Sequence, residues 1–130
     1  MNQPFKKVER LSRYSLIRKL FAEGSSFHLS PFRVTWLRME SDFSQHAQVM
    51  LSVPKHNIRE AATRNLVRRR MRESYRLNKQ ILYEPLVKKQ QKLLLCFTFT
   101  AKEILSFAEI QVKIILLLQR LIKENEKLTR

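Results

Sequence analysis

The spacing of apolar positions switches along this chain, and each switch marks an element. Between residues 12 and 23 the spacing is helical and forms two stripes, Leu16 with Leu20, and Tyr14 with Ile17 and Phe21. A helix is predicted from about Ser12, which can cap it, to Glu23, with Gly24 as a left-handed terminating residue. One stripe suffices to dock a helix on a sheet. The second either widens that contact or offers a surface on which unstacked bases can lie. From Pro31 to Met39 the period falls to two. Phe32, Val34 and Trp36 alternate with Arg33, Thr35 and Leu37, as in a strand with one apolar and one mixed face. By this alternation Trp36 belongs to the core. A polar connection from Glu40 to His46 leads to a second alternating run, Ala47, Val49, Leu51 and Val53 against Gln48, Met50 and Ser52. This strand is expected to lie antiparallel to the first and to stop at Pro54.

Lys55 to Ala62 reads as a loop or first turn that leads into a helix fading before Pro85. At about 100° per residue, Val67, Met71, Ser74, Asn78 and Ile81 fall on one side of it, with Leu66 and Leu77 at the margin. Lys92 to Thr100 is apolar on both sides, the pattern of a central strand covered on both faces. Thr100-Ala101-Lys102-Glu103 has the form of a capping box, opening a long helix to about Lys123. The basic arm 1–7 and the charged tail 124–130 are expected to be extended and frayed, respectively. The predicted order is helix, strand, strand, helix, strand, helix. It describes one α+β domain over residues 1–130, a two-layer sandwich with helices on a small mixed sheet. A crossover between parallel strands is ordinarily right-handed.

Charge adds a direction to this outline. Lys and Arg number 26 against 11 Asp and Glu, a formal charge of +15 on 130 residues. Self-repulsion on that scale opposes compaction unless a polyanion offsets it, and counterion release from a phosphate backbone does so. The second predicted helix carries the matching surface. Arg64, Arg68, Arg72 and Arg76 make one row, flanked by Asn65, Arg69 and Lys79, so the basic arc spans roughly 140°. Solvated faces normally alternate sign, yet Glu73 is the only acid between Arg64 and Lys79. Arginine suits phosphate because its planar fork donates two hydrogen bonds at once. A membrane surface would instead need bulky apolar residues along the free side of such a helix. The most apolar stretch, Ile114 to Leu118, is far below the roughly 20 residues of a span. No membrane partner is expected, and Met1 to Arg10 lacks the apolar segment of a signal peptide. The single Cys96, inside an apolar run, is read as a buried structural thiol in a reducing, intracellular setting.

Independent catalysis finds little support. His28, His46 and His56 are scattered, and none stands at metal-ligand spacing with a second ligand. One glycine cannot build a phosphate loop. Glu9, Glu23, Glu40, Asp42, Glu60 and Glu73 are dispersed, whereas a free-standing nuclease needs gathered acidic ligands. No catalytic or metal-ligating residue is assigned. A binding module remains open, either ribosomal-type or a DNA-binding regulator. A helix-turn-helix reader, however, needs a preceding helix where this chain has a strand ending at Pro54.

The run Arg64-Asn65-Leu66-Val67-Arg68-Arg69 with Arg72-Glu73, placed after Leu51-Ser52-Val53-Pro54-Lys55, resembles the signature of the bacterial ribonuclease P protein subunit. Glu9-Arg10-Leu11, Ile17, Phe21, Gly24 and Tyr75-Arg76-Leu77-Asn78 extend the resemblance over most of Lys7 to Lys79. It implies a ribosomal-protein-like sandwich whose crossover is left-handed, and a cytoplasmic ribonucleoprotein that removes the 5′ leader from precursor tRNA. By this resemblance the chemistry belongs to a catalytic RNA, with Mg2+ bound mainly by that RNA. The partners are the catalytic RNA and precursor tRNA, with no obligate protein partner. Lys55, Arg59, Arg64, Asn65, Arg68, Arg69, Arg72 and Arg76 would contact the catalytic RNA. The leader would run between the first helix and the sheet, along Ile17, Phe21, Arg33 and Thr35. Two positions depart from the family pattern. Leu66 replaces the second arginine of an Arg-Asn-Arg core, with Arg70 facing a similar direction. Ile17 stands where an aromatic ring is usual.

Overall fold

A strand that is apolar on both sides needs cover on both faces, and the computed structural model, which describes residues 4–40 and 46–128, places it accordingly. Strand β4 (Lys92–Phe99) lies inside a four-stranded sheet with β1 (Ser25–Leu29), β2 (Phe32–Met39) and β3 (Ala47–Ser52), in the order β1-β2-β4-β3. It runs antiparallel to β2 and parallel to β3. The four helices are α1 (Tyr14–Glu23), α2 (Ala61–Asn78), α3 (Gln80–Lys89) and α4 (Phe107–Leu128). The first three residues of the arm, the connection 41–45 with Asp42, and the last two residues of the tail lie outside the described residues.

Alternation along the strands divides the interior into two cores. Phe32, Val34 and Trp36 of β2, Val49 of β3 and Leu93, Leu95, Phe97 and Phe99 of β4 form one face. Val67, Met71 and Tyr75 of α2, Leu82 and Leu86 of α3, and Ile110, Ile114, Leu117, Leu118 and Leu121 of α4 cover it. On the other face Leu94 and Cys96 meet Leu11 and Leu20, with Leu16, Ile17, Leu37, Met39 and Met50 packed around them. Trp36 is core, as expected. The Cys96 thiol is buried, and that burial raises its pKa despite a contact with Thr98 Oγ1 at 3.5 Å.

Several boundaries differ from the sequence expectations. Strand β1 is not foreseen, because an edge strand with exposed Ser25, Ser26 and His28 shows almost no apolar alternation. The strand ending at Ser52 does run antiparallel to β2 in direction, but β4 lies between them. Helix α2 stops at Asn78 and α3 follows at once, with Pro85 accommodated inside it. Thr100 does not open the last helix; its N–H donates to Pro31 O at 2.8 Å. The capping box lies six residues on, where the Glu109 N–H donates to Ser106 Oγ and the Ser106 N–H to Glu109 Oε1, both at 3.1 Å. At the far end α4 continues to Leu128, held by buried Asn125. Its Oδ1 accepts from Arg38 Nη2 at 2.7 Å and its Nδ2 donates to Gln91 Oε1 at 2.8 Å.

Arg13, not Ser12, is the N-cap of α1, and Gly24 is extended (φ −74°), not left-handed. Glycine is needed there for close approach. A Cβ at Gly24 would stand 2.4 Å from Leu20 O and 2.8 Å from Trp36 O. Gly24→Ala is therefore expected to cost about 1–3 kcal/mol through overpacking, read as a lowered midpoint in thermal unfolding; an unchanged midpoint would contradict this close packing.

Candidate nucleic-acid interface

Helix α2 is amphipathic in an unusual sense, with an apolar side and a nearly uniform basic side. Val67, Met71, Ser74 and Tyr75 are buried. Asn65, Arg69 and Arg72 are exposed, and Arg64, Arg68, Arg70 and Arg76 are half-buried. The row therefore faces outward from the sheet. Its members are not equivalent. Arg64 Nη1 donates to Arg59 O at 2.6 Å and Ile58 O at 3.0 Å, bracing the loop ahead of the helix. Arg68 Nη1 donates to Asn65 Oδ1 at 2.7 Å. Arg76 forks onto Glu73, with Nε to Oε1 at 2.9 Å and Nη2 to Oε2 at 2.5 Å. Those hydrogen bonds, aided by the charges of Arg76 and Arg72, hold the Glu73 carboxyl below its usual range. Among the described residues, Arg69 and Arg72 make no hydrogen bond or ion pair. Lys55 and Arg59, in the segment before α2, are exposed.

Lys79 leaves the basic arc altogether. It is 5% exposed, and its Nζ donates to Glu9 Oε1 at 2.7 Å and Pro4 O at 2.6 Å. Glu9 also accepts from Tyr83 OH at 2.7 Å and the Lys6 N–H at 2.9 Å. Burial raises the pKa of Glu9, but the hydrogen bonds from Lys79, Lys6 and Tyr83 outweigh it and the net shift is downward. The network explains why residues of the supposed arm are docked. A 3-10 turn at Lys7–Glu9 is locked to the α2–α3 junction, and the Leu11 N–H reaches Val49 O at 2.9 Å on the edge of β3.

Phe5 and Arg10, carried by this docked segment, meet α2 and the start of α4 around a hollow of about 500 Å³. Leu66, Arg69, Arg70, Arg72, Glu73, Arg76 and Phe107 complete its lining. Arg70 is anchored there by a 2.6 Å bond from Nη1 to Leu105 O. Periodicity within α2 marks the arginines, but Phe5, Arg10 and Phe107 have no local signal, because only tertiary contact brings them to the helix.

The second face of the sheet carries the other predicted residues. Ile17 packs into the smaller core, while Phe21 is 54% and Tyr14 73% exposed. The second stripe of α1 thus divides: its middle member packs and its ends are left open. Arg33 is exposed beside Thr98 of β4, but Thr35, beside Cys96, is buried. Among the described residues no three His, Cys, Asp or Glu side chains gather as a possible metal site, and no helix is long and apolar enough to cross a membrane.

A family model described as Ribonuclease P matches residues 5–122. The chain belongs to the ribonuclease P protein family. A relative from Porphyromonas gingivalis, named Ribonuclease P protein component, is 32% identical over 105 residues, covering 81% of this chain and 77% of the relative. The RNase P protein of Thermotoga maritima superposes with a TM-score of 0.66 at 24% identity, over 86% of this chain and 96% of that one. A Staphylococcus aureus RNase P protein mutant with defective mRNA degradation activity gives 0.69 at 18% identity, over 90% of each chain. At these identities the structural likeness is one of fold. Within this ribonuclease P family chain, Leu66 and Arg70 line the same hollow.

Proposed function

We propose that this chain is the protein partner of a catalytic RNA, binding that RNA through α2 and the 5′ leader of precursor tRNA across the second sheet face. Family membership implies a part in tRNA 5′ processing and partnership with the RNA subunit. The observation that carries the RNA-binding reading is the outward arginine row, in which Arg69 and Arg72, among the described residues, make no direct ion pair for a phosphate to displace. Phosphate oxygens would replace water on these forks, and the released counterions would drive binding. Arg64, Asn65, Arg68 and Arg76 extend the contact, with Lys55 and Arg59 at its leading end. On the other side the leader would pass Phe21 and Arg33, a ring to stack on and a cation for the backbone. Ile17 and the buried Thr35 support that track more than they touch it.

Phosphodiester hydrolysis is assigned to the RNA, with Mg2+ held mainly by RNA. Among the described residues no three His, Cys, Asp or Glu side chains gather as a ligand set for the ion.

Reconstitution tests the proposal. The purified chain alone should leave precursor tRNA intact, and adding the catalytic RNA should give cleavage at low magnesium. Cutting by the RNA-free chain would reverse the assignment. In the reconstituted complex Phe21→Ala should weaken precursor tRNA binding by roughly 5- to 100-fold, the range of one lost base stack, and leave mature tRNA binding unchanged. Equal loss for both would remove Phe21 from the leader track.

A further inference from the structure

Two half-buried apolar side chains, Leu66 of α2 and Phe107 at the start of α4, stay outside both core clusters among the described residues. They line the arginine hollow with Phe5, whose ring packs edge-on against Tyr75 with centroids 5.5 Å apart. The same hollow is lined by Arg10, Arg69, Arg70, Arg72 and Arg76, with Glu73 as the one acidic residue of the lining. A pure phosphate-tracking surface has no use for apolar lining residues, because backbone contacts need only cations and donors. Apolar side chains and a cluster of cations lining one hollow match a different object, a flat ring attached to a phosphate.

We propose that this hollow is a nucleotide site that takes one unstacked nucleoside phosphate of the partner RNA. The base lies on Phe107 and Leu66, and its phosphate meets Arg69 and Arg72. A volume of about 500 Å³ accommodates one nucleotide. Glu73 supplies the one carboxylate side chain among the lining residues. Arg76 engages both of its oxygens, but each retains a lone pair able to accept from an exocyclic amine. Arg10 also lines the hollow, its guanidinium 5.9 Å from the Phe5 ring centroid. The proposal rests on the RNA-binding reading above and deepens it: the arginine surface reads an extruded base as well as a backbone.

The test uses the full chain with adenosine 5′-monophosphate and ribose 5-phosphate as probes, in calorimetric titrations at low salt. The nucleotide should bind roughly 5- to 100-fold more tightly than the sugar phosphate, the contribution of one stacked base. Phe107→Leu keeps an apolar side chain at the start of α4 but removes the ring face. It should cancel that difference while the unfolding midpoint stays in place, and Arg72→Ala should weaken both probes. Equal affinity of the two probes for the unaltered chain, or an unchanged preference in Phe107→Leu, overturns the site. Affinity for the catalytic RNA is measured in parallel. Retained RNA binding without base preference sinks the pocket alone, whereas failure to bind the RNA sinks the reading beneath it.

Discussion

Replacing Lys79 with methionine is expected to destabilise the chain by about 3–5 kcal/mol, the usual consequence of leaving one member of a buried ion pair alone. Lys79 and Glu9 are 5% and 3% exposed, and the Glu9 carboxylate would lose its cation while remaining enclosed by Tyr83 and the backbone. Urea unfolding measures the change. Replacing both together, Lys79→Met with Glu9→Leu, should recover most of the loss, because the desolvation penalty of the charges disappears with them. If the single variant unfolds at the same urea concentration as the parent, the pair is not what holds the amino-terminal segment. The pair also has a pH signature. Glu9 has a lowered carboxyl pKa in the folded chain, so its contribution is fully present above the unfolded value, 4.5. It is lost as pH falls from there through the lower folded value. The stability gap between the parent and Glu9→Gln should therefore be large near neutrality and shrink under acid; a gap independent of pH would exclude this carboxylate as its source.

The second large effect concerns binding. Replacing Arg68, Arg69 and Arg72 together with alanine is expected to lower affinity for the catalytic RNA by roughly a thousandfold or more. Each charge-assisted hydrogen bond to phosphate contributes about 1.5–3 kcal/mol. The slope of log affinity against log salt should also become shallower by about 2–3, one unit or slightly less per lost phosphate contact. Stability should hold or rise slightly, because none of the three guanidiniums neutralises a carboxylate by direct contact among the described residues and their removal relieves self-repulsion. Unchanged affinity and slope would show that the RNA meets another surface. Arg64 and Arg76 are poorer probes, since one braces the loop at Ile58 and Arg59 and the other is forked onto Glu73.

The contrast between Lys79 and Arg72 shows why a helical projection reads only part of such a surface. On the helical wheel they lie about 20° apart, so periodicity treats them alike. What separates them is the docked turn at Lys7–Glu9, which covers the end of α2 and leaves its middle open. Thr35 and Arg33 repeat the lesson on the sheet. Both point to the second face by alternation, but Thr35 is buried and Arg33 is exposed.

Local pattern was sufficient for the elements whose burial is periodic. The two-sided apolar run of β4, the alternation of β2 and β3, the stripes of α1 and the basic side of α2 all follow from side-chain spacing, because spacing fixes which side chains share a face. The mixed α+β class and the outward arginine row were legible for the same reason. Elements held mainly by backbone or by distant partners were not. Edge strand β1 is stabilised by its ladder to β2, and the last turns of α4 by the Arg38–Asn125–Gln91 bonds. The division of labour among the basic residues, and the apolar lining made by Phe5, Leu66 and Phe107, arise where segments far apart in the chain meet. Periodicity carries the direction a side chain leaves its own element, and only the folded chain supplies what stands there to receive it.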